Sequence, residues 1–254
     1  MNSGHPVIPG CEPLSHRGGA AAGVVVLHGF TGNPSSVRGV AEAMIDAGFD
    51  VEMPRLPGHG TTIDEMLLTD WSDWFGETDR VVRELTSRVD RVVVLGQSMG
   101  GTLALSAAFD RDAVVGVVCI NPVTRPRDDA TMAMLDDFID DGLTVVPGEG
   151  SDIADPESSD IAYSGTPLVP LKSLVTDGVT PITGRFGELT MPLRLFTSRQ
   201  DHVVDPGDSE HLAATHGGTV EHTWLERSYH VATLDHDREL VVSESVAFVQ
   251  AVTA

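Results

Sequence analysis

Lysine is almost missing from this sequence. One lysine, Lys172, and fifteen arginines face 38 carboxylates, so the 254-residue chain carries a net charge of −22 at neutral pH. A chain so poor in cations repels phosphate, which excludes nonspecific association with nucleic acid and with anionic membrane surfaces. Cysteine is scarce too. Cys11 in an early Pro/Gly loop and Cys119 inside an apolar run form neither a disulfide framework nor the spacing of a metal site, and both read as free thiols. No apolar run approaches the roughly 18 residues of a membrane span, and Met1 to Leu14 lacks the basic-then-apolar layout of a signal peptide. The chain therefore reads as soluble and cytoplasmic. What it does contain is an ordinary globular share of apolar residues, 41% with 26 glycines besides, at a length that suggests one domain with an inserted subdomain.

Short β-branched runs alternate with stretches of helical period, the order of an α/β protein with a mainly parallel sheet. Ala22 to Leu27, Arg91 to Leu95 and Val114 to Ile120 are continuously apolar, as central strands covered on both faces must be. Phe49 to Met53, Leu193 to Thr197 and Thr219 to Leu225 are weaker strands, the last alternating and so nearer an edge. Helices fill the gaps: Pro34 to Ala47 behind an Asn33 cap and ahead of Gly48, Trp71 to Val89, an amphipathic Ser98 to Phe109, and His236 to Val252.

About seventy residues separate the strand ending at Ile120 from the one starting near Leu193, far more than a βα connection needs. Residues 124–166 read as an insertion over one end of the sheet, between core segments 1–123 and 167–254. The chain returns through a helix near Leu168. The spacing Met132, Leu135, Phe138, Ile139 within the insertion requires a partner surface.

Gly96-Gln97-Ser98-Met99-Gly100-Gly101 follows an apolar strand and opens a helix, the context in which G-x-S-x-G forms a nucleophile elbow. A plain glycine turn with Ser98 as helix cap is the simpler reading of that string alone. Read as an elbow, it makes Ser98 a nucleophile and the Met99 amide one donor to a developing oxyanion. His28-Gly29-Phe30-Thr31-Gly32, after the first long strand, offers the Phe30 amide as the second, with His28 as a buried structural group. A serine needs a base and the base an orienting acid. Asp201 and His230 stand on loops after the late strands. Asp205 is the rival acid, better suited to capping the next helix. His202, His211, His216, His222 and His236 are the rival bases.

Together these strings resemble the α/β-hydrolase superfamily, and within it the small bacterial carboxylesterases and monoacylglycerol lipases. The resemblance runs over nearly the whole chain, through Pro6 to Gly10, His28 to Gly32, Pro54 to Gly60, the elbow, Asp201 to Val204 and above all Ser228-Tyr229-His230-Val231-Ala232-Thr233-Leu234-Asp235. It implies a triad of Ser98, Asp201 and His230, an oxyanion hole from Phe30 and Met99, a mobile cap matching the insertion, and no metal or cofactor. An acidic cap residue beside an Ala-Tyr pair then helps hold glycerol hydroxyls. Asp160-Ile161-Ala162-Tyr163 stands there, at the end of an acidic run from Glu149, with aspartate in place of the longer glutamate. Of the cap's apolar residues, Phe138, Ile139 and Val145, with Met132, Met134, Leu135, Leu143 and Val146, could roof an acyl channel or simply pack on the sheet. The implied reaction is ester hydrolysis through an acyl-enzyme, most directly of monoacylglycerol. A broad carboxylesterase is the alternative and a non-catalytic binding protein the remote one. An epoxide or haloalkane hydrolase would carry a carboxylate at position 98. The acidity predicts small neutral esters as substrates over anionic ones.

Overall fold

In a computed structural model that describes residues 5–148 and 151–254, seven strands form one sheet in the order β1-β3-β2-β4-β5-β8-β9. These are β1 (Leu14–His16), β2 (Ala22–Leu27), β3 (Asp50–Met53), β4 (Arg91–Gln97), β5 (Val114–Ile120), β8 (Leu193–Ser198) and β9 (Val220–Leu225), while β6 (Val145–Pro147) and β7 (Gly165–Pro167) pair as a separate hairpin. Every pairing in the large sheet is parallel except β1 on β3. The alternating β9 lies at the edge, where one face is only partly covered.

The helices are α1 (Arg38–Asp46), α2 (Ile63–Met66), α3 (Trp71–Thr86), α4 (Met99–Ala108), α5 (Asp129–Asp140), α6 (Leu168–Ser173), α7 (Thr180–Ile182), α8 (Gly207–Thr215) and α9 (Arg238–Thr253). The continuous apolar strands feed two cores by parity. Val25, Leu27, Val92 and Val94 pack with Trp74, Leu85 and Leu103 on one side. Val24, Val26, Val93 and Leu95 pack with Val40, Met44, Val241 and Phe248 on the other. This is why those strands lack polar alternation.

Two local expectations change. The helix after the elbow is not amphipathic: nine of the ten residues of α4 are buried, because it is sandwiched between the sheet and neighbouring helices. The first helical stretch starts as a 3-10 turn, Pro34–Val37, whose Asn33 cap accepts from the Ser35 amide before α1 continues.

Register decides where the loops emerge. Leu27 lies opposite Gly96, Gln97 opposite Ile120, Ile120 opposite Phe196 and Ser198 opposite Leu225. The carboxyl ends of five strands therefore open side by side at one edge of the sheet, where ligand sites of parallel α/β sheets form. Between β5 and β8 the chain leaves to form α5 and the β6–β7 hairpin, then returns through α6. Among the described residues no helix is long and apolar enough to cross a membrane.

Candidate active site

Ser98 is held at φ +56°, ψ −122°, between the last residue of β4 and the first of α4. That left-handed backbone costs a non-glycine residue on the order of 1–3 kcal/mol, and the surrounding packing enforces it. A Cβ at Gly96 would lie 1.9 Å from the Gly100 carbonyl oxygen, and one at Gly100 would lie 2.3 Å from that of Leu27. No side chain fits at either position. The flanking glycines of the motif are thus demanded by backbone contact, as an elbow requires.

The loop after β2 runs beside the serine. Phe30 packs its ring edge-on against Trp74 at 5.7 Å, and Thr31 adopts φ +59°, an uncommon state for a β-branched residue. Among the described residues neither the Phe30 nor the Met99 amide donates to a protein acceptor. His28 is fully buried beneath the loop, its Nδ1 on the Gly29 carbonyl at 3.0 Å and its Nε2 accepting from the Leu56 amide at 3.2 Å. Burial, reinforced by nearby His59, holds His28 far below the ordinary histidine value. It is a neutral brace.

On the far side, His230 Nδ1 and Asp201 Oδ2 are 2.8 Å apart. A carboxylate only accepts, so Nδ1 carries the hydrogen and Nε2 of the neutral ring keeps its lone pair. The other Asp201 oxygen accepts from the Val203 and Val204 amides at 2.9 and 2.8 Å. Both side chains are buried.

The rivals serve elsewhere. Asp205 accepts the Gly207 amide at the start of α8 and pairs with Arg125. His211 contacts Thr183, His216 the Met191 carbonyl, and His222 the Thr197 hydroxyl. His202 and His236 face Asp152 and Asp155. None of these histidines lines the cavity at Ser98.

Several residues that the sequence did not single out hold the arrangement. Asp152 accepts the His230 amide and the His202 amide on one oxygen, each at 3.1 Å, and faces His202 Nδ1 at 2.8 Å with the other. Asn121, after β5, donates to the His230 carbonyl at 2.8 Å and accepts the Ser198 amide at 2.7 Å. Buried Asp235 accepts four amides, those of Ala154, Asp155, Tyr229 and His236. Asp152 sits in a run that looks solvated and carries no local mark of its partners, which lie fifty and seventy-eight positions away. Glu149 and Gly150, which open that run, lie outside the described residues.

A cavity of about 350 Å³ joins Ser98, His230 and Phe30 to Asp160 and Tyr163. A second, of about 300 Å³ and almost wholly apolar, lies under α5 between Met132, Leu135, Phe138, Val146 and Leu168. The two share Arg127, Thr166, Leu171 and Val175. Ile139 and Val145 line neither. Val145 is committed to the hairpin, its Cγ1 2.6 Å from where a Cβ on Gly165 would stand. Tyr163 spends its hydroxyl on structure, accepting the Thr61 amide at 2.9 Å and donating to the Gly58 carbonyl at 2.8 Å, so only its ring is offered to a ligand. Burial pushes the Asp160 carboxyl up, against hydrogen bonds from the Ile161 amide and the Ser151 hydroxyl. Among the described residues no cluster of three or more potential metal ligands occurs.

A serine on a strained elbow at the carboxyl ends of a parallel sheet, with a carboxylate-oriented histidine in the same cavity, defines the α/β-hydrolase class. Known proteins narrow it. A family model described as serine aminopeptidase, S33, matches residues 18–143. The thermostable monoacylglycerol lipase of Bacillus sp. (strain H-257) is 35% identical over 98% of each chain. A carboxylesterase of Bacillus subtilis (strain 168) is 26% identical over 94% of this chain and 96% of its own. A solved structure from work on two metagenome-derived lipolytic enzymes, LipS and LipT, is 39% identical with a TM-score of 0.89, covering 97% of this chain and 100% of that one. The chain belongs to the α/β-hydrolase family of small carboxylesterases and monoacylglycerol lipases, and it is a carboxylic-ester hydrolase.

Proposed function

We propose that the chain hydrolyses monoacylglycerol to glycerol and fatty acid, with Ser98 as nucleophile, His230 as base and Asp201 as its orienting acid. The observation that carries the catalytic assignment is the 2.8 Å His230–Asp201 contact in the cavity that Ser98 also lines. His230 Nε2 takes the Ser98 proton as the hydroxyl attacks the ester carbonyl. The tetrahedral oxyanion is met by the uncommitted amides of Phe30 and Met99, at the positive end of the ten-residue helix α4. His230 returns the proton to the departing alcohol, then activates a water that releases the acid from Ser98.

The substrate assignment rests on the 35% identical monoacylglycerol lipase and on the paired cavities, one polar enough for a small alcohol and one apolar enough for an acyl chain. Asp160 is the residue we assign to the glycerol hydroxyls, with Tyr163 and Phe138 as walls. Residues 124–166 act as the cap on a core of 1–123 and 167–254. A cytoplasmic setting suits Cys11 and Cys119, which are buried and unpaired, and the net charge of −22 favours neutral esters.

A panel of monoacylglycerols and nitrophenyl esters of matched chain length tests the reading. Glycerol esters should be hydrolysed preferentially, and Ser98→Ala should lower turnover about ten-thousandfold or more and abolish labelling by a serine-reactive phosphonate. Equal rates on simple esters would leave a broad carboxylesterase, and surviving labelling would remove Ser98 from the mechanism.

A further inference from the structure

Among the described residues Arg127 has no counter-charge within ion-pair distance. Fifteen of the sixteen cations make an ion pair or a hydrogen bond, whereas Arg127, half-buried after β5, makes neither among the described residues. Arg38 and Arg55 also lack a carboxylate, but each donates to backbone carbonyls, so Arg127 differs in making no polar contact at all among the described residues. That position is the junction of the two cavities, both of which Arg127 lines. The carboxylates lining the same space are already engaged: Asp152 by two amides and His202, Asp160 by the Ile161 amide and the Ser151 hydroxyl.

An apolar cavity with an arginine in its wall that makes no ion pair or hydrogen bond among the described residues suits the shape and charge of a fatty-acid anion. We infer that Arg127 forms a carboxylate subsite that binds free fatty acid, its chain in the cavity under α5, in competition with ester substrate. The guanidinium fork suits a carboxylate, and partial removal from water strengthens the pair. Hydrolysis turns a neutral ester into an acid that ionises near pH 4 to 5, so the anion arises inside the pocket and need not cross the molecule's repulsive field. The inference rests on the proposed reaction for the origin of that acid, while the binding itself needs no turnover.

Calorimetric titration with decanoate and with 1-decanol, equal in chain and different in charge, tests it in about 0.2 M salt, where long-range repulsion is screened. The wild-type protein should bind decanoate about tenfold more tightly than decanol. Arg127→Met, which keeps the aliphatic stem, should lose that preference while still binding decanol, and Arg127→Lys should keep most of it. Ser98→Ala should bind as wild type does, so failure of the catalytic assignment would show in turnover and not here. Absence of a decanoate preference in the wild type, or its survival in Arg127→Met, would overturn the inference. So would equal loss of both ligands in that variant alongside an unchanged preference pattern in Arg127→Lys, since Arg127 would then act by packing.

Discussion

One carboxylate, Asp152, touches both the loop that carries Asp201 and the loop that carries His230. Its three hydrogen bonds reach the His230 amide, the His202 amide and the His202 ring, so His230 is held from residues 151–158 as well as from its own strand. Asp152 does not reach the reacting atoms. Its loss should instead let the His230 ring drift, and displacement of a reacting group by about 1 Å costs on the order of a hundredfold in rate. Asp152→Ala should lower kcat about ten- to hundredfold with a smaller change in KM, and should displace the acid limb of the kcat/KM profile against pH. An unchanged profile with only a lower melting temperature would make Asp152 a fold residue. Tyr163 illustrates the converse, a polar side chain that faces the cavity with its hydroxyl already committed.

At the scale of elements, the segment between β5 and β8 is fastened at one end and more open at the other. Residues 151–158 dock on the His230 loop through Asp235 and through Arg238, which reaches Asp155. By contrast α5 buries only Leu135 and leaves Met134 and Phe138 exposed over the apolar cavity. If residues 124–166 act as the proposed cap, this anchoring predicts that the α5 side opens while His230 stays in place. Removal of the Asp235 carboxylate strands four amide donors, each costing about 1–3 kcal/mol if left unsatisfied. In Asp235→Ala, hydrogen exchange at Ala154, Asp155 and Tyr229 should accelerate by orders of magnitude while Val93 and Leu95 in the central strand stay protected. Uniform acceleration across the sheet would instead mean that Asp235 supports the whole fold.

For the whole molecule, the buried histidines couple stability to pH. Burial keeps His28 well below the ordinary range and pushes His59, 4.9 Å away, down to about 4. The unfolded chain protonates its histidines near 6.5, so between that value and the folded ones the unfolded state binds more protons. Stability is then complete above about pH 6.5 and declines as pH falls toward 4, with His59 alone accounting for about 3 kcal/mol once both states are protonated. Although burial opposes it, hydrogen bonding holds the Asp50 and Asp237 carboxyls below their usual value, so their contribution is lost only at lower pH. Urea unfolding at about pH 7.5 and about pH 4.5 should show the decline, and His59→Gln should flatten it. A level profile over that window would contradict the burial account.

The elbow string was legible because it is short-range. A turn that brings backbone within 2 Å of where a Cβ would stand tolerates only glycine, so the elbow writes itself into consecutive residues, as does a strand covered on both faces. The sequence by itself thus determined the α/β order, the edge place of β9 and the candidates Ser98, Asp201 and His230. Only the tertiary structure decided which carboxylate holds the His230 amide, that Tyr163 is spent on Gly58 and Thr61, that Ile139 and Val145 miss both cavities, and that Arg127 lines both without a polar partner among the described residues. Charge pairing and hydrogen bonding depend on distance in space, and partners eighty or a hundred positions apart leave no pattern along the chain.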